Sequence, residues 1–209
     1  FLHKTKLHLI VGIELFSNFV FKFYQFCIEF ELLKIIDIMK NIISVLILVL
    51  GLNVFGQKIP SVMKTEFPAA ALQDSLVDLQ GNSITIEKAL SSYKGKIVLL
   101  DLWATWCGDC IKNIPALKTL HEKNPDVEFV YLSMDKNQEA WKNGIEKYTI
   151  TGQHFYMGNN WKGAFGTSID LNWIPRYLVL NQEGKIADYY SVKADDPKVQ
   201  ETINSLRKK

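Results

Sequence analysis

The sequence predicts an α/β fold in which a mixed β-sheet is flanked by helices. Three observations lead to this prediction. Strand-like and helix-like segments alternate from about residue 71 onward, two of the strands are apolar almost throughout, and the chain ends with a strand pair and a helix. Strands that alternate with helices form parallel pairs, whereas a hairpin adds antiparallel ones. A sheet that contains both kinds of pairing is therefore expected.

The first elements of this region predict a β-hairpin followed by a short helix. Ala71–Leu79 and Ser83–Ile86 have strand character, and the turn signal Gln80-Gly81-Asn82 lies between them. A short helix is predicted over Glu87–Ser92. The hairpin precedes the main alternation of strands and helices, so it is predicted to be an N-terminal addition to the sheet.

The central elements follow from apolar runs and periodicity. Lys96–Trp103 is a nearly continuous apolar run with β-branched members, which is typical of a strand buried on both faces. Cys110–Asn124 carries apolar residues three or four positions apart, which indicates one face of a helix. The remaining elements are predicted in this order: strand Val127–Ser133, helix Gln138–Tyr148, extended segment Gln153–Met157, brief helix Lys162–Ser168, hairpin Tyr177–Leu180 with Lys185–Tyr190, and a last helix from Asp196-Pro197 to about Leu206.

The segment that begins at Met39 has the features of an export signal. Its sequence, MKNIISVLILVLGLNVFGQ, has a lysine followed by the apolar run Ile42–Leu52, and Val54 and Gly56 suit a signal-peptidase site before Gln57. The apolar run is about half of the ~20 residues that a membrane-spanning helix needs. This length favours a cleaved signal, with an uncleaved membrane anchor as the alternative.

Residues 1–38 are rich in Phe, Leu, Ile and Lys and show no clean helical period. We interpret them as sequence upstream of the true start, with an amphipathic leader as the alternative. The predicted organisation is therefore an upstream stretch or leader over residues 1–38, a signal peptide over 39–56, and one domain over 57–209. A domain of that length can bury a substantial core.

Charge and cysteine content narrow the classes of function. From Gln57 onward Lys and Arg nearly balance Asp and Glu, so no nucleic-acid or membrane-surface partner is indicated. Of the three cysteines in the chain, Cys27 lies in the doubtful leader, and only Cys107 and Cys110 lie in the domain. One close pair cannot form a disulfide scaffold. In an exported protein such a pair indicates redox chemistry.

The cysteine pair lies where a predicted strand ends and a predicted helix begins. Unpaired backbone N–H groups and the helix dipole stabilise an anion at that point. The pKa of Cys107 is therefore expected to fall below the ~8.5 of a free thiol. A thiolate on Cys107 would attack a partner, and Cys110, one helical turn onward, would attack the resulting mixed disulfide. The pair is predicted to cycle between dithiol and disulfide.

The segment VLLDLWATWCGDCIKNIPAL resembles the active-site segment of thioredoxin-fold proteins, in particular the exported TlpA/ResA-like thiol-disulfide oxidoreductases of the AhpC/TSA-redoxin superfamily. The segments KGKIVLLDLW and IPRYLVLNQEGKI also fit, and the resemblance runs from about Phe67 to the C terminus. It implies a thioredoxin-like fold with a central mixed sheet, flanking helices and an extra N-terminal β-hairpin. It also implies a redox enzyme with no organic cofactor, because the two cysteines carry the electrons.

The resemblance implies roles for four further residues. Pro175 would be the cis proline beside the cysteines, an isomer that costs little before proline. Ile174 would offer backbone groups to the substrate chain, and Trp106 would line the same site. Asp101, six residues before Cys107, matches a buried aspartate that exchanges protons with the second cysteine. The alternatives are an ordinary trans proline and an aspartate at an exposed strand end.

Two positions depart from the family pattern, and two others lie between the cysteines. Tyr131 takes the place of a lysine that pairs with the aspartate in thioredoxin, and Asn113 takes the place of a glutamate common in TlpA/ResA-like proteins. Gly108 and Asp109 are expected to tune the redox potential. Because an anion beside Cys107 opposes the helix dipole, Asp109 is expected to make the pair a stronger reductant. The alternative is that Asp109 is solvated and only helps to cap the helix.

Other functions of this fold fit the motif less well. A peroxiredoxin has Thr or Ser three residues before its reactive cysteine, whereas Ala104 stands there and Thr105 is one place out of register. A copper-delivery protein separates its cysteines by three residues and adds a histidine. A zinc site needs further Cys or His ligands, and only His121 and His154 follow the signal. No metal is predicted, and a binding module with a structural disulfide is the non-enzymatic alternative.

These inferences combine into one functional prediction. The protein is expected to be a periplasmic, exported thiol-disulfide oxidoreductase, held to the membrane if its signal is not cleaved. Its partners would be protein thiols and disulfides, and it would reduce the disulfides. A membrane-bound or exported donor would supply electrons, and no nucleic acid would take part.

Overall fold

The computed structural model describes residues 34, 36–42 and 59–208. The chain divides into two units, Phe1–Gly56 and Gln57–Lys209. In the first unit, the described residues 34 and 36–42 are helical. Most of the predicted leader and signal peptide lies outside the described residues, so both assignments stay predictions. No helix within the described part of the chain is long and apolar enough to cross a bilayer.

The second unit contains short helices and strands that alternate along the chain. In chain order they are α1 (Ala69–Leu72), β1 (Ser75–Val77), β2 (Ser83–Thr85), α2 (Ile86–Ser91), β3 (Ile97–Trp103), α3 (Gly108–Lys123), β4 (Val127–Ser133), α4 (Gln138–Tyr148), β5 (Gln153–Tyr156), α5 (Ala164–Ser168), β6 (Arg176–Leu180), β7 (Ile186–Ser191) and α6 (Pro197–Leu206). Each strand and helix predicted from the sequence has its counterpart here, with bounds shifted by a few residues.

The seven strands form one mixed sheet in the order β2-β1-β5-β4-β3-β6-β7. Strands β3, β4 and β5 run parallel to one another. On one side β6 pairs antiparallel with β3, and β7 pairs antiparallel with β6. On the other side the β1–β2 hairpin pairs antiparallel with β5 through β1. The hairpin joins the sheet where Val77 lies opposite Tyr156. The predicted mixed sheet, flanking helices and N-terminal hairpin are confirmed.

The core lies around the two central strands. All seven residues of β3 are buried, as are six of the seven in β4, because both faces of these strands are covered. The helices contribute single apolar stripes: α3 buries Ile114, Leu117 and Leu120, and α6 buries Val199 and Ile203. The end of β3 is therefore a rigid platform for the residues that follow it.

The prediction is wrong at the start of the first strand. Residues 69–72 form helix α1 instead, because alanine has the highest helix propensity and three of these four residues are alanine. The strand is confined to Ser75–Val77. Between the two elements, the carboxylate of Asp74 accepts a hydrogen bond from the Phe165 N–H at 2.7 Å, which fixes the end of α1 beside α5.

Candidate active site

Cys107 and Cys110 form the first turn of helix α3. Cys107 is the N-cap, and its Sγ accepts a hydrogen bond from the backbone N–H of Cys110 at 3.1 Å. Their sulfur atoms, 2.24 Å apart, close a disulfide across Cα atoms 5.2 Å apart. The helix begins at Gly108, two residues before the predicted start, because the sulfur of the N-cap satisfies one of the free N–H groups of the first turn.

The disulfide is largely covered by its surroundings. Cys107 is 6% exposed and Cys110 3%, whereas the neighbouring Trp106 is 51% exposed. The reactive sulfur is thus less open than an attacking thiolate is expected to be, because the segment around Ile174 lies against it.

The segment that covers Cys107 contains the predicted cis proline. The Ile174–Pro175 peptide bond is cis, which confirms that prediction. The backbone oxygen of Ile174 lies 3.5 Å from Sγ of Cys107. Strand β6 begins at the next residue and runs antiparallel to β3, so the start of β6 meets the end of β3. The sheet therefore brings the proline and the cysteines together.

Arg176, which the sequence analysis did not single out, holds the cis-proline segment. It is fully buried, and its Nη1 and Nη2 donate hydrogen bonds to the Ile169 oxygen at 3.0 Å and to Oδ1 of Asn172 at 2.9 Å. Its guanidinium also lies 4.0 Å over the ring of Tyr190. Both acceptors precede Pro175, so the side chain ties this segment to its own strand. A lone arginine in the apolar strand RYLVL was the available signal.

Asp101 is buried in the middle of the sheet. It is 3% exposed, lies on β3 opposite Tyr131 of β4 and Tyr177 of β6, and shares a face of the sheet with both. Its Oδ1 has no hydrogen-bond partner. Burial raises the pKa of Asp101 well above its usual value. The predicted burial is confirmed, and the alternative of an exposed strand end is wrong.

The residues beside Asp101 are aromatic and uncharged. Tyr131 lies beside it, as the resemblance implied, and burial together with the nearby Asp101 raises the pKa of Tyr131. On the far side of Tyr131, the ring of His154 stacks at a centroid distance of 4.7 Å. The Nε2 of His154 lies 3.0 Å from the Ile150 oxygen, and a carbonyl only accepts, so Nε2 carries the proton. Burial lowers the pKa of His154.

The residues predicted to tune the pair lie on the exposed side of the first turn. Asp109 is exposed, and its Oδ1 lies 3.7 Å from Nζ of Lys112. A Cβ at Gly108 would meet no atom within 4 Å, so packing does not require glycine there. Asn113 donates from Nδ2 to the backbone oxygen of Asp109 at 2.9 Å, and its Oδ1 accepts from the Ala194 N–H at 3.1 Å. Asn113 thus ties the first turn of α3 to the segment after β7.

A second buried carboxylate, Asp135, holds the corner before Cys107. Like Arg176, it was not singled out from the sequence. Asp135 is 0% exposed. Its Oδ1 accepts from the backbone N–H of Thr105 at 3.0 Å and from the hydroxyl of Thr105 at 2.6 Å. Its Oδ2 accepts from the hydroxyl of Ser133 at 2.9 Å. The polar sequence Ser133-Met134-Asp135 at the end of an apolar strand was the only signal for this network.

The two histidines weighed as ligands have other contacts. His121 lies with its ring centroid 4.3 Å from that of Phe129 and its Nδ1 3.1 Å from Oγ1 of Thr151. His154 is buried against Tyr131. Over residues 34, 36–42 and 59–208, no three His, Cys, Asp or Glu side chains are grouped so that they could hold a metal ion.

Comparisons with known proteins agree with this geometry. Residues 95–186 match a family model described as thioredoxin-like. A thioredoxin-like protein of Haemophilus influenzae is 30% identical over 154 residues, which cover 74% of this chain and 86% of that protein. The thiol-disulfide oxidoreductase ResA of Bacillus subtilis is 26% identical over 169 residues, which cover 80% of this chain and 90% of ResA.

A solved structure is also similar to most of this chain. The solution structure of a candidate thiol-disulfide oxidoreductase from Bacteroides vulgatus matches with a TM-score of 0.56 and 37% identity, covering 68% of this chain and 90% of that one. The chain belongs to the thioredoxin-like family, as one of its thiol-disulfide oxidoreductases.

Proposed function

We propose that this protein is an exported enzyme that reduces disulfides of other proteins through the motif Trp106-Cys107-Gly108-Asp109-Cys110. The observation that carries the proposal is the Cys107–Cys110 disulfide at the start of α3, with the backbone oxygen of Ile174 3.5 Å from Sγ of Cys107. One sulfur is thereby placed next to backbone groups that a substrate chain could pair with.

The reaction begins with the reduced pair. The Cys107 thiolate attacks one sulfur of the substrate disulfide, that S–S bond breaks, and the other substrate sulfur leaves as a thiolate that takes up a proton. Cys110 then loses its proton and attacks Sγ of Cys107. The substrate leaves as a dithiol with two electrons and two protons, and the Cys107–Cys110 disulfide remains. An external dithiol donor returns the pair to its reduced form.

Asp101 is the proposed proton-exchange group for Cys110: its ionised form accepts the Cys110 proton, and its protonated form returns a proton when the pair is reduced. Because its pKa is raised well above the usual value of a carboxyl, it holds and releases a proton closer to neutral pH than an exposed aspartate does. Its neighbours Tyr131 and Tyr177 bring no positive charge that would keep it ionised. Proton exchange at Asp101 supports turnover without an organic cofactor, since the two sulfurs carry both electrons.

Export and partners are part of the same proposal. The run from Met39 to Gly56 supports passage out of the cytoplasm. Outside the cytoplasm, the reactive cysteine pair would meet disulfide-bonded proteins. The substrates would be such proteins, and the donor would be an exported or membrane-bound dithiol protein. Residue 106, a half-exposed tryptophan beside the sulfur, offers an apolar contact for the substrate chain.

The test is reduction of a protein disulfide, such as that of insulin, by the full chain with dithiothreitol as donor. We expect Cys107→Ser to lose all turnover above background. Cys110→Ser, reduced first and mixed with the substrate after the dithiothreitol has been removed, should accumulate a mixed disulfide visible by mass spectrometry, because the resolving sulfur is absent. Cys27→Ser serves as the matched control and should keep wild-type turnover.

Turnover that survives in Cys107→Ser would contradict the proposal, and so would the absence of any mixed disulfide in Cys110→Ser. A disulfide that no dithiol reduces in the folded protein would favour a binding module with a structural disulfide, to which the low exposure of both cysteines gives some support. Consumption of hydrogen peroxide at a rate above that of protein disulfide would favour a peroxidase instead.

A further inference from the structure

We propose that Thr105 and Asp135 are positioning residues that fix the Trp106-Cys107 corner and so set the reactivity of Cys107. This inference rests on the proposed function, because it concerns the thiol that performs the reaction. Neither residue touches the disulfide in the contacts described above. Both act on the short segment that joins the end of β3 to the N-cap of α3.

The contacts around Thr105 leave its segment little freedom. Its N–H and its hydroxyl both donate to Oδ1 of Asp135, at 3.0 and 2.6 Å. Two bonds from one residue to one oxygen fix both the backbone and the side-chain rotamer. Two residues later, the Cys107 N–H donates to the Ala104 oxygen at 3.1 Å, so Ala104–Cys107 is a closed turn that contains the fixed residue.

Asp135 is itself fixed to the sheet. Its Oδ2 accepts from the hydroxyl of Ser133, the last residue of β4, and its own N–H donates to that hydroxyl oxygen at 3.1 Å. Met134, which lies between Ser133 and Asp135, donates its N–H to the Trp103 backbone oxygen at 2.8 Å. Through these bonds the end of β4 carries the carboxylate to which the Cys107 corner is attached.

Helix α4 closes the remaining side of Thr105. A Cβ at Gly144 would lie 2.2 Å from Cγ2 of Thr105, which is too short for a side chain, and 3.3 Å from the Trp103 ring, which is a tight contact. The methyl group of Thr105 is therefore packed against the helix backbone while its hydroxyl is bonded to Asp135. A threonine satisfies both demands, since it carries a methyl and a hydroxyl on the same carbon.

This arrangement matters because the reactivity of Cys107 depends on its N-cap position. The sulfur accepts the Cys110 N–H at 3.1 Å only while the corner directs it along the helix axis. In the reduced protein the same N–H would stabilise the thiolate. A corner that moves weakens this bond and also displaces the sulfur from the Ile174 segment, and displacements of about 1 Å reduce rates by up to about a hundredfold.

The test compares Thr105→Val with Thr105→Ser in the full chain. Valine keeps the methyl group and loses the hydroxyl, whereas serine keeps the hydroxyl. We expect Thr105→Val to reduce insulin turnover about tenfold and to shift the pH midpoint of Cys107 alkylation upward by about half a unit. Thr105→Ser should stay within about twofold of the wild type in turnover.

Ser191→Ala is the matched control, because Ser191 also donates to a buried carboxylate, Asp188, at 2.6 Å, two strands away from β3. It should change neither turnover nor the alkylation midpoint, even if the melting temperature falls as far as in Thr105→Val. Wild-type behaviour of Thr105→Val, or equal losses in Thr105→Val and Ser191→Ala, would overturn the inference. A wild-type protein without disulfide turnover, whose alkylation midpoint still depends on Thr105, would overturn only the proposed function.

Discussion

Two buried carboxylates near the end of β3 have opposite surroundings. Asp135 is 0% exposed, and three donors from Thr105 and Ser133 point at its two oxygens. Asp101 is 3% exposed, its Oδ1 has no partner, and tyrosines flank it on both sides. Burial alone therefore does not decide what a carboxylate does in this protein.

The difference separates a structural role from a chemical one. A buried carboxylate that accepts several hydrogen bonds joins the segments that donate them. A buried carboxylate without such donors favours its neutral form, which makes it able to exchange a proton. The first arrangement holds the corner of the site, and the second is the one that we propose for proton exchange. Substitutions at the two positions should differ in kind as well as in size.

The largest effect is expected from Asp135→Ala. This change leaves the Thr105 N–H and two hydroxyl groups without their acceptor, and unsatisfied buried groups cost about 1–3 kcal/mol each. The free energy of unfolding should fall by about 3–5 kcal/mol, measured by urea denaturation. Asp135→Asn keeps an oxygen toward Thr105 and should lose less than half as much. Equal losses in the two variants would show that the donors do not matter.

Asp101→Asn should change how stability depends on pH. Because the folded-state pKa of Asp101 is raised, its contribution to stability is fully present below the unfolded value of about 3.9 and is lost as pH rises through the folded value. Across that window the wild type should lose about 1.4 kcal/mol per pH unit relative to Asp101→Asn. Urea denaturation of both proteins from pH 4 upward, in steps of about one pH unit, tests this difference in stability. Parallel curves would refute the assigned protonation.

Arg176→Met extends the comparison to a third buried ionisable side chain. Methionine fills similar volume, but the Ile169 oxygen and Oδ1 of Asn172 lose their donor, and the stack on Tyr190 is lost. The cis-proline segment should loosen, so KM for insulin should rise about fivefold with a smaller change in kcat. Arg207→Met, which removes an arginine paired with Asp126 at the surface, is the control. A fall in kcat at constant KM would contradict this role.

The smallest effect is expected from Asp109→Asn. Removing an exposed anion from the first helical turn is worth about 0.3–1 kcal/mol, and Lys112 already lies 3.7 Å from it. The reduction potential should rise by about 10–20 mV, and the pH midpoint of Cys107 alkylation should fall slightly. Equilibration with glutathione buffers measures the potential. An unchanged or lower potential would favour a purely solvated Asp109.

Much of the site could be predicted from the sequence because its signals are local. Cys107 and Cys110 are three residues apart, and their position between an apolar run and a helical period places them at the start of a helix. The resemblance then supplied Pro175 and Asp101, whose cis bond and burial the structure confirms. The helix α1 was missed because its four residues, three of them alanine, are too few to show a helical period of apolar residues.

Residues that hold the site could not be predicted in the same way. Thr105 and Asp135 are thirty positions apart, and their contact exists only because β3 and β4 are neighbours in the sheet. Arg176 reaches back over the cis peptide bond to the Ile169 oxygen, a contact that no local pattern encodes. Hydrogen bonds between distant segments depend on the register of the strands, which a single sequence does not specify.

The antiparallel pairing of β3 with β6 has a consequence for how the protein would fail. The cysteine corner leaves one of these strands and the cis-proline segment enters the other, and both strands are fully buried. Their amide hydrogens should be among the slowest in the chain to exchange with deuterated solvent, because they open only when the whole unit unfolds. Heat or denaturant should then abolish catalysis and the cooperative unfolding signal at the same midpoint, without a partly active intermediate.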